Sequence, residues 1–172
     1  MPHAHCYLFG LGSQRKIPLT EDDRYYICMP LFHANGLLMQ LFGSLIAGAW
    51  IYCIERFSPN RWLDDVRSSQ ATVTNALGVM PEFIFRHPVS PLDRDNKLRN
   101  VMAGPVADEW AADFERRYDV KILQGFGMTE CNIVAYTGPG DEVVHSEHGF
   151  LIYMIAARSA DGSEAHLFIV TV

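Results

Sequence analysis

The chain has 172 residues, of which 49% are apolar and 20% are charged, and its net charge is -6. These values are typical of one globular domain that buries a substantial core. An acidic chain without a run of lysine and arginine lacks the clustered positive charge that nucleic-acid binding requires, so a nucleic-acid partner is excluded.

Helical and strand patterns alternate along most of the chain. Helices are predicted at 3–14, at 33–47, from Ser58 and Pro59 onward, at 79–86 and at 107–118. Strands are predicted at 25–29, 50–55, 71–75, 98–103 and 120–124, with a surface loop at 87–96. This alternation predicts an α/β fold, in which a mostly parallel sheet carries helices on both faces.

The stretch 36–54 has no charged residue and approaches the length of a membrane span. Glycines interrupt it, and its last five residues are largely aromatic or β-branched. A buried helix, a stop at Gly48 and a buried strand therefore explain it better than a membrane span does. The N-terminus lacks the basic and apolar regions of a secretory signal, so we expect a cytoplasmic protein.

The cysteines are widely spaced and form no CxxC pair: Cys6, Cys28, Cys53 and Cys131. This pattern indicates buried reduced thiols, not a disulfide framework. The run His3-Ala4-His5-Cys6 offers metal-binding side chains, but no second ligand cluster accompanies it. A helix start with incidental histidines is the favoured interpretation.

The strongest local signal is the heptapeptide QGFGMTE at 124–130, directly after a predicted strand. Its two glycines predict a sharp turn at the carboxyl end of the strand, where open α/β sheets bind ligands. The Thr129 hydroxyl can donate to a phosphate, the Glu130 carboxylate offers Mg²⁺ a hard oxygen, and Phe126 offers a base a flat face. The same residues fit equally well a strand–turn–helix joint with Glu130 in a solvated first turn.

Two further segments end predicted strands. In PLFHANG, at 30–36, His33 can contact an acyl group or a phosphate, although a purely structural histidine is the commoner case, and Asn35 can cap the following helix. In the run 103–105, Ala-Gly-Pro, the small residues permit the close approach of a ligand. All three segments are expected at the same edge of the sheet.

These segments resemble motifs of the adenylate-forming superfamily, which includes acyl-CoA synthetases, coumarate-type ligases, luciferases and peptide-synthetase adenylation domains. QGFGMTE after VKIL resembles the family signature, and PLFHANG, ATVTNALGVMPEFIF and VMAGPVADEW resemble further segments in the family's order. We therefore expect a partial AMP-binding ligase core at 1–140. A divergent β-rich tail is expected at 141–172, with a hairpin turn at Asp161-Gly162.

The resemblance implies an acid–CoA ligase of the fatty-acid type, which activates a carboxylic acid with ATP as its acyl-adenylate and passes it to coenzyme A. The implied catalytic residues are Thr129, Glu130 and His33, with Glu130 holding Mg²⁺ and His33 at the junction of the acyl and coenzyme A channels. The implied ATP- and AMP-contacting residues are Ala103, Gly104, Pro105, Gln124, Gly125, Phe126, Gly127, Met128 and Thr129.

Several family motifs have no counterpart in the sequence. The phosphate loop is expected just before Met1, and the later Gly-Asp motif and the C-terminal domain with its catalytic lysine are absent. The chain is therefore expected to be a ligase fragment, cut within the gene and inactive alone. The alternative is a non-catalytic acyl- or nucleotide-binding module. A hydrolase is disfavoured because the sequence has no GxSxG motif.

Overall fold

Six strands form one sheet in a computed structural model of the chain, which describes residues 1–104, 106–130 and 132–137. The strands are β1 (Arg24–Ile27), β2 (Trp50–Cys53), β3 (Val73–Leu77), β4 (Asn100–Gly104), β5 (Lys121–Met128) and β6 (Asn132–Thr137). The helices are α1 (His3–Lys16), a π-helical segment (Asn35–Leu41), α2 (Phe42–Ala47), α3 (Trp62–Ser69), α4 (Met80–Phe85) and α5 (Asp108–Tyr118).

The strand order is β2-β1-β3-β4-β5-β6. The first five strands pair in parallel, and β6 pairs antiparallel with β5. All five predicted strands are therefore strands of one sheet, and the predicted mostly parallel α/β fold is confirmed. The predicted β-rich tail at 141–172 lies outside the described residues.

Helices cover both faces of the sheet, as the alternating pattern predicts. Successive side chains of β1 point to opposite faces, so Tyr25 and Ile27 pack in one core and Tyr26 packs in the other. The first core lies under α1 and the π-helical segment and includes Phe9, Leu38 and Met39. The second core lies under α3, α4 and α5, and its large side chains are Trp62, Val66, Ile84, Phe114 and Tyr118.

The uncharged stretch folds as a helix, a stop and a strand. The π-helical segment continues into α2, which ends at Gly48 in the left-handed region with φ 73°. No helix among the described residues is long and apolar enough to cross a membrane. The expectation that β2 is buried is wrong. Among the described strands it pairs with β1 alone, and Trp50 is 68% exposed.

The helix predicted from Ser58 and Pro59 begins later, at Trp62. Residues 59–61 form a turn, in which the Arg61 N–H donates to the Ser58 carbonyl at 3.1 Å. This turn brings Trp62 into the core, where its ring meets the Tyr118 ring edge-on with 5.3 Å between centroids. The wrong start shows that burial of the indole outweighs the local preference for a proline in the first helical turn.

The surface loop predicted at 87–96 contains a buried carboxylate that the sequence did not reveal. Asp93 is 4% exposed and accepts a hydrogen bond from Arg117 Nε at 2.7 Å. The Arg117 guanidinium also donates to the carbonyls of Phe85, His87 and Pro88 at 2.6–2.9 Å. One side chain on α5 therefore satisfies the polar groups at the start of this loop.

A second ion pair ties together the amino ends of the parallel strands. Arg99 donates to both carboxylate oxygens of Asp23 at 2.9 and 2.8 Å, and Thr72 Oγ1 donates to Asp23 Oδ1 at 2.7 Å. Burial alone would raise the pKa of the Asp23 carboxyl. The hydrogen bonds from Arg99, Thr72 and Thr20, together with the Arg99 charge, outweigh burial and lower this pKa below 3.8.

We expect the Asp23 ion pair to make the protein sensitive to acid. Because the pKa of Asp23 is lowered in the folded chain, its contribution to stability is complete above pH 3.8 and is lost as the pH falls through the folded-state pKa. Asp23→Asn should therefore destabilise the chain more at about pH 6 than at about pH 3, because these two values lie on either side of the free carboxyl pKa. Urea denaturation at each pH measures the difference, with the exposed Asp22→Asn as the control. An Asp23→Asn penalty that is equal at both pH values would contradict this account.

Candidate functional site

The segment QGFGMTE does not form the predicted turn. β5 continues as a strand through both glycines to Met128, and the turn follows at Thr129 and Glu130. The strand–turn–helix alternative is also wrong, because the strand β6 follows the turn. The pairing of β5 with β6 shifts register between Phe126 and Gly127.

Gly127 is needed for close approach of the two strands and not for a turn. A Cβ atom at this position would lie 2.3 Å from the Asn132 carbonyl oxygen and 2.7 Å from Ile133 Cα. Real Cβ atoms do not come this close to backbone atoms, so only glycine fits without a shift of β6. A glycine that permits a bulge and a glycine that permits a turn look the same in sequence.

The carboxyl ends of β4 and β5 bring together four of the predicted nucleotide-contacting residues. Ala103 pairs with Gln124, so Gly104 lies beside Gly125. A Cβ atom on Gly104 would meet only the Gly125 carbonyl oxygen, at 3.5 Å, among the described residues. The chain's own packing therefore leaves room at Gly104, as a bordering ligand would require.

Gln124 carries a buried polar atom that has no hydrogen-bond partner among the described residues. Its side chain is 9% exposed, and Nε2 finds no hydrogen-bond partner within the described part of the chain. Burying an amide donor without a partner is costly, so such a group in a strand end indicates an acceptor supplied from elsewhere. A nucleotide offers several acceptors of this kind.

The turn after β5 exposes the two residues with the clearest phosphate and metal chemistry. Thr129 and Glu130 are both exposed. The Thr129 carbonyl accepts a hydrogen bond from Nε2 of His5 in α1, at 3.1 Å. The sequence offered no signal for this contact, and His5 had been interpreted as incidental.

His33 lies in a turn that is held by its own backbone. Its N–H donates to the Pro30 carbonyl at 3.0 Å, and its Nδ1 accepts from the Asn35 N–H at 3.0 Å. The neutral ring therefore carries its proton on Nε2, which can donate to a ligand at this exposed position. Gly36 belongs to the same turn. Only glycine fits there without a shift, because a Cβ atom would lie 2.5 Å from the Pro30 carbonyl oxygen.

The predicted helix cap at Asn35 is wrong, because its side chain is buried and makes no cap hydrogen bond. Asn35 Oδ1 instead accepts from Asn75 Nδ2 at 2.9 Å and from Gln40 Nε2 at 2.7 Å. Tyr25 donates its hydroxyl to Asn75 Oδ1 at 2.6 Å. This buried network anchors the start of the π-helical segment to β3, and Asn75 was detectable as a polar residue in an apolar strand.

Because the strands are parallel, the predicted site residues lie at one edge of the sheet, but they are not equally far from one another. Thr129 follows the last residue of β5 and lies four residues beyond Gly125, which is about 13 Å in extended chain. His33 follows β1, three strand spacings or about 14 Å from β5. The Thr129 carbonyl contacts α1, and His33 lies just before the π-helical segment, which packs in the same core as α1. Pro105 lies outside the described residues.

One carboxylate stands at the candidate metal position. No group of three or more His, Cys, Asp or Glu side chains among the described residues is arranged to hold a metal ion. Mg²⁺ commonly takes only one or two carboxylates together with substrate phosphates and water, so the exposed Glu130 fits that donor set.

A thiol near the same edge is not available as a nucleophile. Cys28 follows β1, is 5% exposed and donates from Sγ to the Asn75 carbonyl at 3.2 Å. Burial raises the pKa of the Cys28 thiol to about 12, so the thiolate is not populated near neutral pH. The expectation of buried thiols holds for Cys28, whereas Cys53 is exposed because it lies on the edge strand β2.

Comparison with known proteins gives consistent matches over most of the chain. The sequence profile of the AMP-binding enzyme family matches residues 2–164. A crotonobetaine/carnitine–CoA ligase of Salmonella heidelberg is 34% identical over 143 residues, and one of Salmonella typhi is 35% identical over 144 residues. Each match covers 81% of this chain, which thus spans 28% of the length of these relatives.

Solved structures match the same region. An O-succinylbenzoate coenzyme A synthetase from Bacillus subtilis, in complex with ATP and magnesium ion, has a TM-score of 0.67 at 26% identity over 79% of this chain and 28% of its own. A benzoate CoA ligase from Burkholderia xenovorans shares the fold, with a TM-score of 0.71 at 23% identity over 79% of this chain and 29% of its own.

The sheet order and the strand ends define an open parallel α/β protein with a candidate ligand site at the carboxyl edge of its sheet. The profile match over nearly the whole chain and the relatives above 30% identity show to which family this α/β protein belongs. The chain belongs to the AMP-binding enzyme family.

Proposed function

We propose that the chain forms part of the nucleotide and acyl site of an ATP-dependent carboxylate–CoA ligase. Such an enzyme activates a carboxylic acid as its acyl-adenylate and transfers the acyl group to coenzyme A. The observation that supports this proposal most strongly is the exposed Thr129–Glu130 turn. It ends β5 beside a strand edge that has room at Gly104 and, as far as the structure describes the chain, an unpartnered amide on Gln124.

Each residue then has a role that its position allows. Thr129 Oγ1 donates to a phosphate oxygen, and Glu130 supplies the carboxylate oxygen that orients Mg²⁺. Bound Mg²⁺ contributes charge neutralisation at the phosphates. Gln124 Nε2 donates to the nucleotide, and Gly104 leaves space for the base and the acyl chain.

His33 and the remaining predicted contacts complete the proposed site. The protonated Nε2 of His33 faces an exposed position at the end of β1, where we place the junction of the acyl and coenzyme A channels. Because His33 is about three strand spacings from β5, an extended ligand has to connect the two ends of the site. Pro105, Phe126, Gly127 and Met128 are assigned to the nucleotide by position in the motif alone.

The substrate is a carboxylic acid on this proposal, since the curated relatives are named as CoA ligases of crotonobetaine and carnitine. A cytoplasmic location is supported by Cys6, Cys28 and Cys53, which are free thiols in the structure, as reducing compartments favour. We also propose that the 172-residue chain binds ligand without completing the reaction. Much of the catalytic positioning in this family would come from motifs that these 172 residues do not contain.

Thr129→Val tests the proposed phosphate contact. The parent chain should bind butyryl sulfamoyl adenosine, an acyl-adenylate mimic in which a sulfamate stands in for the phosphate, with a Kd in the millimolar range, about -4 kcal/mol, because many of the family's contacts are missing. Thr129→Val keeps the shape but removes the donor, and we expect it to abolish detectable binding in an NMR titration. Thr129→Ser keeps the hydroxyl and should bind within about threefold of the parent.

Three outcomes bear on the proposal. Equal binding by Thr129→Val and the parent would rule out the phosphate contact, and no binding by the parent would rule out the site. The same parent chain should give no acid-dependent exchange of pyrophosphate into ATP above the no-protein rate. Clear exchange would show a complete catalytic site and would exclude the non-catalytic binding module.

A further inference from the structure

A histidine of the first helix touches the turn that carries Thr129 and Glu130. His5 Nε2 lies 3.1 Å from the Thr129 carbonyl oxygen, although the two residues are 124 positions apart. A carbonyl oxygen can only accept, so Nε2 must carry a proton and donate it. The contact therefore fixes both the tautomer of His5 and the direction of one peptide carbonyl in the turn.

The donor is held on a rigid support. The His5 ring meets the Phe9 ring edge-on, with 5.4 Å between centroids, and Phe9 is 1% exposed in the core beneath α1. α1 packs against α2, the π-helical segment and β6. A donor fixed in this way holds its acceptor more accurately than one on a mobile loop would.

The hydrogen bond to the carbonyl also orients the next amide. The Thr129 carbonyl and the Glu130 N–H belong to one planar trans peptide, so they point in opposite directions. With the carbonyl directed at α1, the Glu130 N–H is directed away from α1. A hydrogen bond accepted by the carbonyl also polarises the peptide and strengthens the N–H as a donor.

We propose that His5 is a positioning residue for the nucleotide site. By holding the Thr129 carbonyl, it fixes the peptide between Thr129 and Glu130. The hydroxyl, the Glu130 N–H and the carboxylate then keep the relative orientation that an anion with its metal ion requires. This inference rests on the proposed function of the turn, and it assigns a role to a residue outside every segment that resembles a family motif.

Three variants of the 172-residue chain separate positioning from general structure. His5→Phe keeps an aromatic ring but removes the donor, and His5→Gln restores an amide donor of similar reach. His3→Phe is the matched control, because His3 is exposed in the same helical turn. None of the three removes a core side chain, so all should unfold at the same urea concentration as the parent.

The first measurement follows the turn itself through the NMR chemical shifts of the Thr129 carbonyl carbon and the Glu130 amide. Because a hydrogen bond to a carbonyl polarises its peptide, His5→Phe should shift both signals. His5→Gln should return both signals towards the parent values, and His3→Phe should leave them unchanged. Parent-like values of both signals in His5→Phe would overturn the proposal.

The second measurement is binding of butyryl sulfamoyl adenosine with Mg²⁺. His5→Phe should weaken binding by about threefold to tenfold, with recovery in His5→Gln and no effect in His3→Phe. If Thr129→Val loses binding but His5→Phe binds like the parent, the positioning role is wrong and the proposed function stands. If the parent does not bind, the proposed function fails, and the positioning role fails with it.

Discussion

Replacing Arg117 by methionine should lower the free energy of unfolding by about 3–5 kcal/mol. The substitution keeps most of the apolar stem but leaves Asp93 as a buried carboxylate, 4% exposed, without its charged partner. It also removes the donor to the carbonyls of Phe85, His87 and Pro88. Removing one partner of a buried pair costs far more than the pair contributes, because the remaining charge stays desolvated.

The neighbouring Arg116 provides the matched control. It pairs with Asp113 on the same helix, but both side chains are more than half exposed. Exposed ion pairs contribute about 0–1 kcal/mol, so Arg116→Met should change the unfolding free energy by less than about 1 kcal/mol. Urea denaturation near neutral pH measures both. Similar losses for Arg116→Met and Arg117→Met would refute the role of the buried pair.

The parallel sheet was predictable because its signals are local. Each of the five strands is a short run rich in apolar residues, and a helical pattern separates it from the next strand. Gly48 ends its helix in the left-handed region, the conformation that glycine adopts most readily. Parallel strands that alternate with helices have few possible arrangements, and their carboxyl ends meet at one edge.

The wrong and missing predictions concern contacts between distant parts of the chain. Gly127 was predicted to turn the backbone. Glycine is needed there instead because the backbone of Asn132 and Ile133, in a strand that was not predicted, lies too close for a Cβ atom. The buried Asp93 carboxylate accepts hydrogen bonds from the nearby Ser90 N–H and from Arg117, 24 positions away, which also supplies the opposite charge. Local sequence patterns contain no information on such pairings, so they favour a turn in the first case and a solvated loop in the second.

The sequence predicted which strand ends form the candidate site. It did not predict the distances between the site residues or the contacts that hold them. QGFGMTE, PLFHANG and the run 103–105 do end strands of one sheet, as expected. The length of β5 past Gly125 depends on its pairing with β6, so the distance from Gly104 to Thr129 was not predictable. The residues that hold the turns, His5 and Asn75, act through contacts across the sequence.

Alanine at two glycines of the site should reduce binding in both cases but lower stability in only one. Gly127→Ala places a Cβ atom 2.3 Å from the Asn132 carbonyl oxygen, so β6 has to move. Such overpacking costs about 1–3 kcal/mol, and we expect a loss of unfolding free energy in that range. Because the Thr129–Glu130 turn joins the same two strands, binding of butyryl sulfamoyl adenosine should fall as well.

Gly104→Ala should leave stability intact and reduce binding. Its Cβ atom would lie 3.5 Å from the Gly125 carbonyl oxygen, an ordinary contact, so the unfolding free energy should change by less than about 1 kcal/mol. The added methyl group would occupy space that we assign to the ligand, and overlap of this size should weaken binding about tenfold, or roughly 1.4 kcal/mol. Urea denaturation and an NMR titration on both variants measure the two effects separately. Parent-like binding by Gly104→Ala would show that the ligand does not approach β4, and parent-like stability of Gly127→Ala would show that β6 does not need glycine at the bulge.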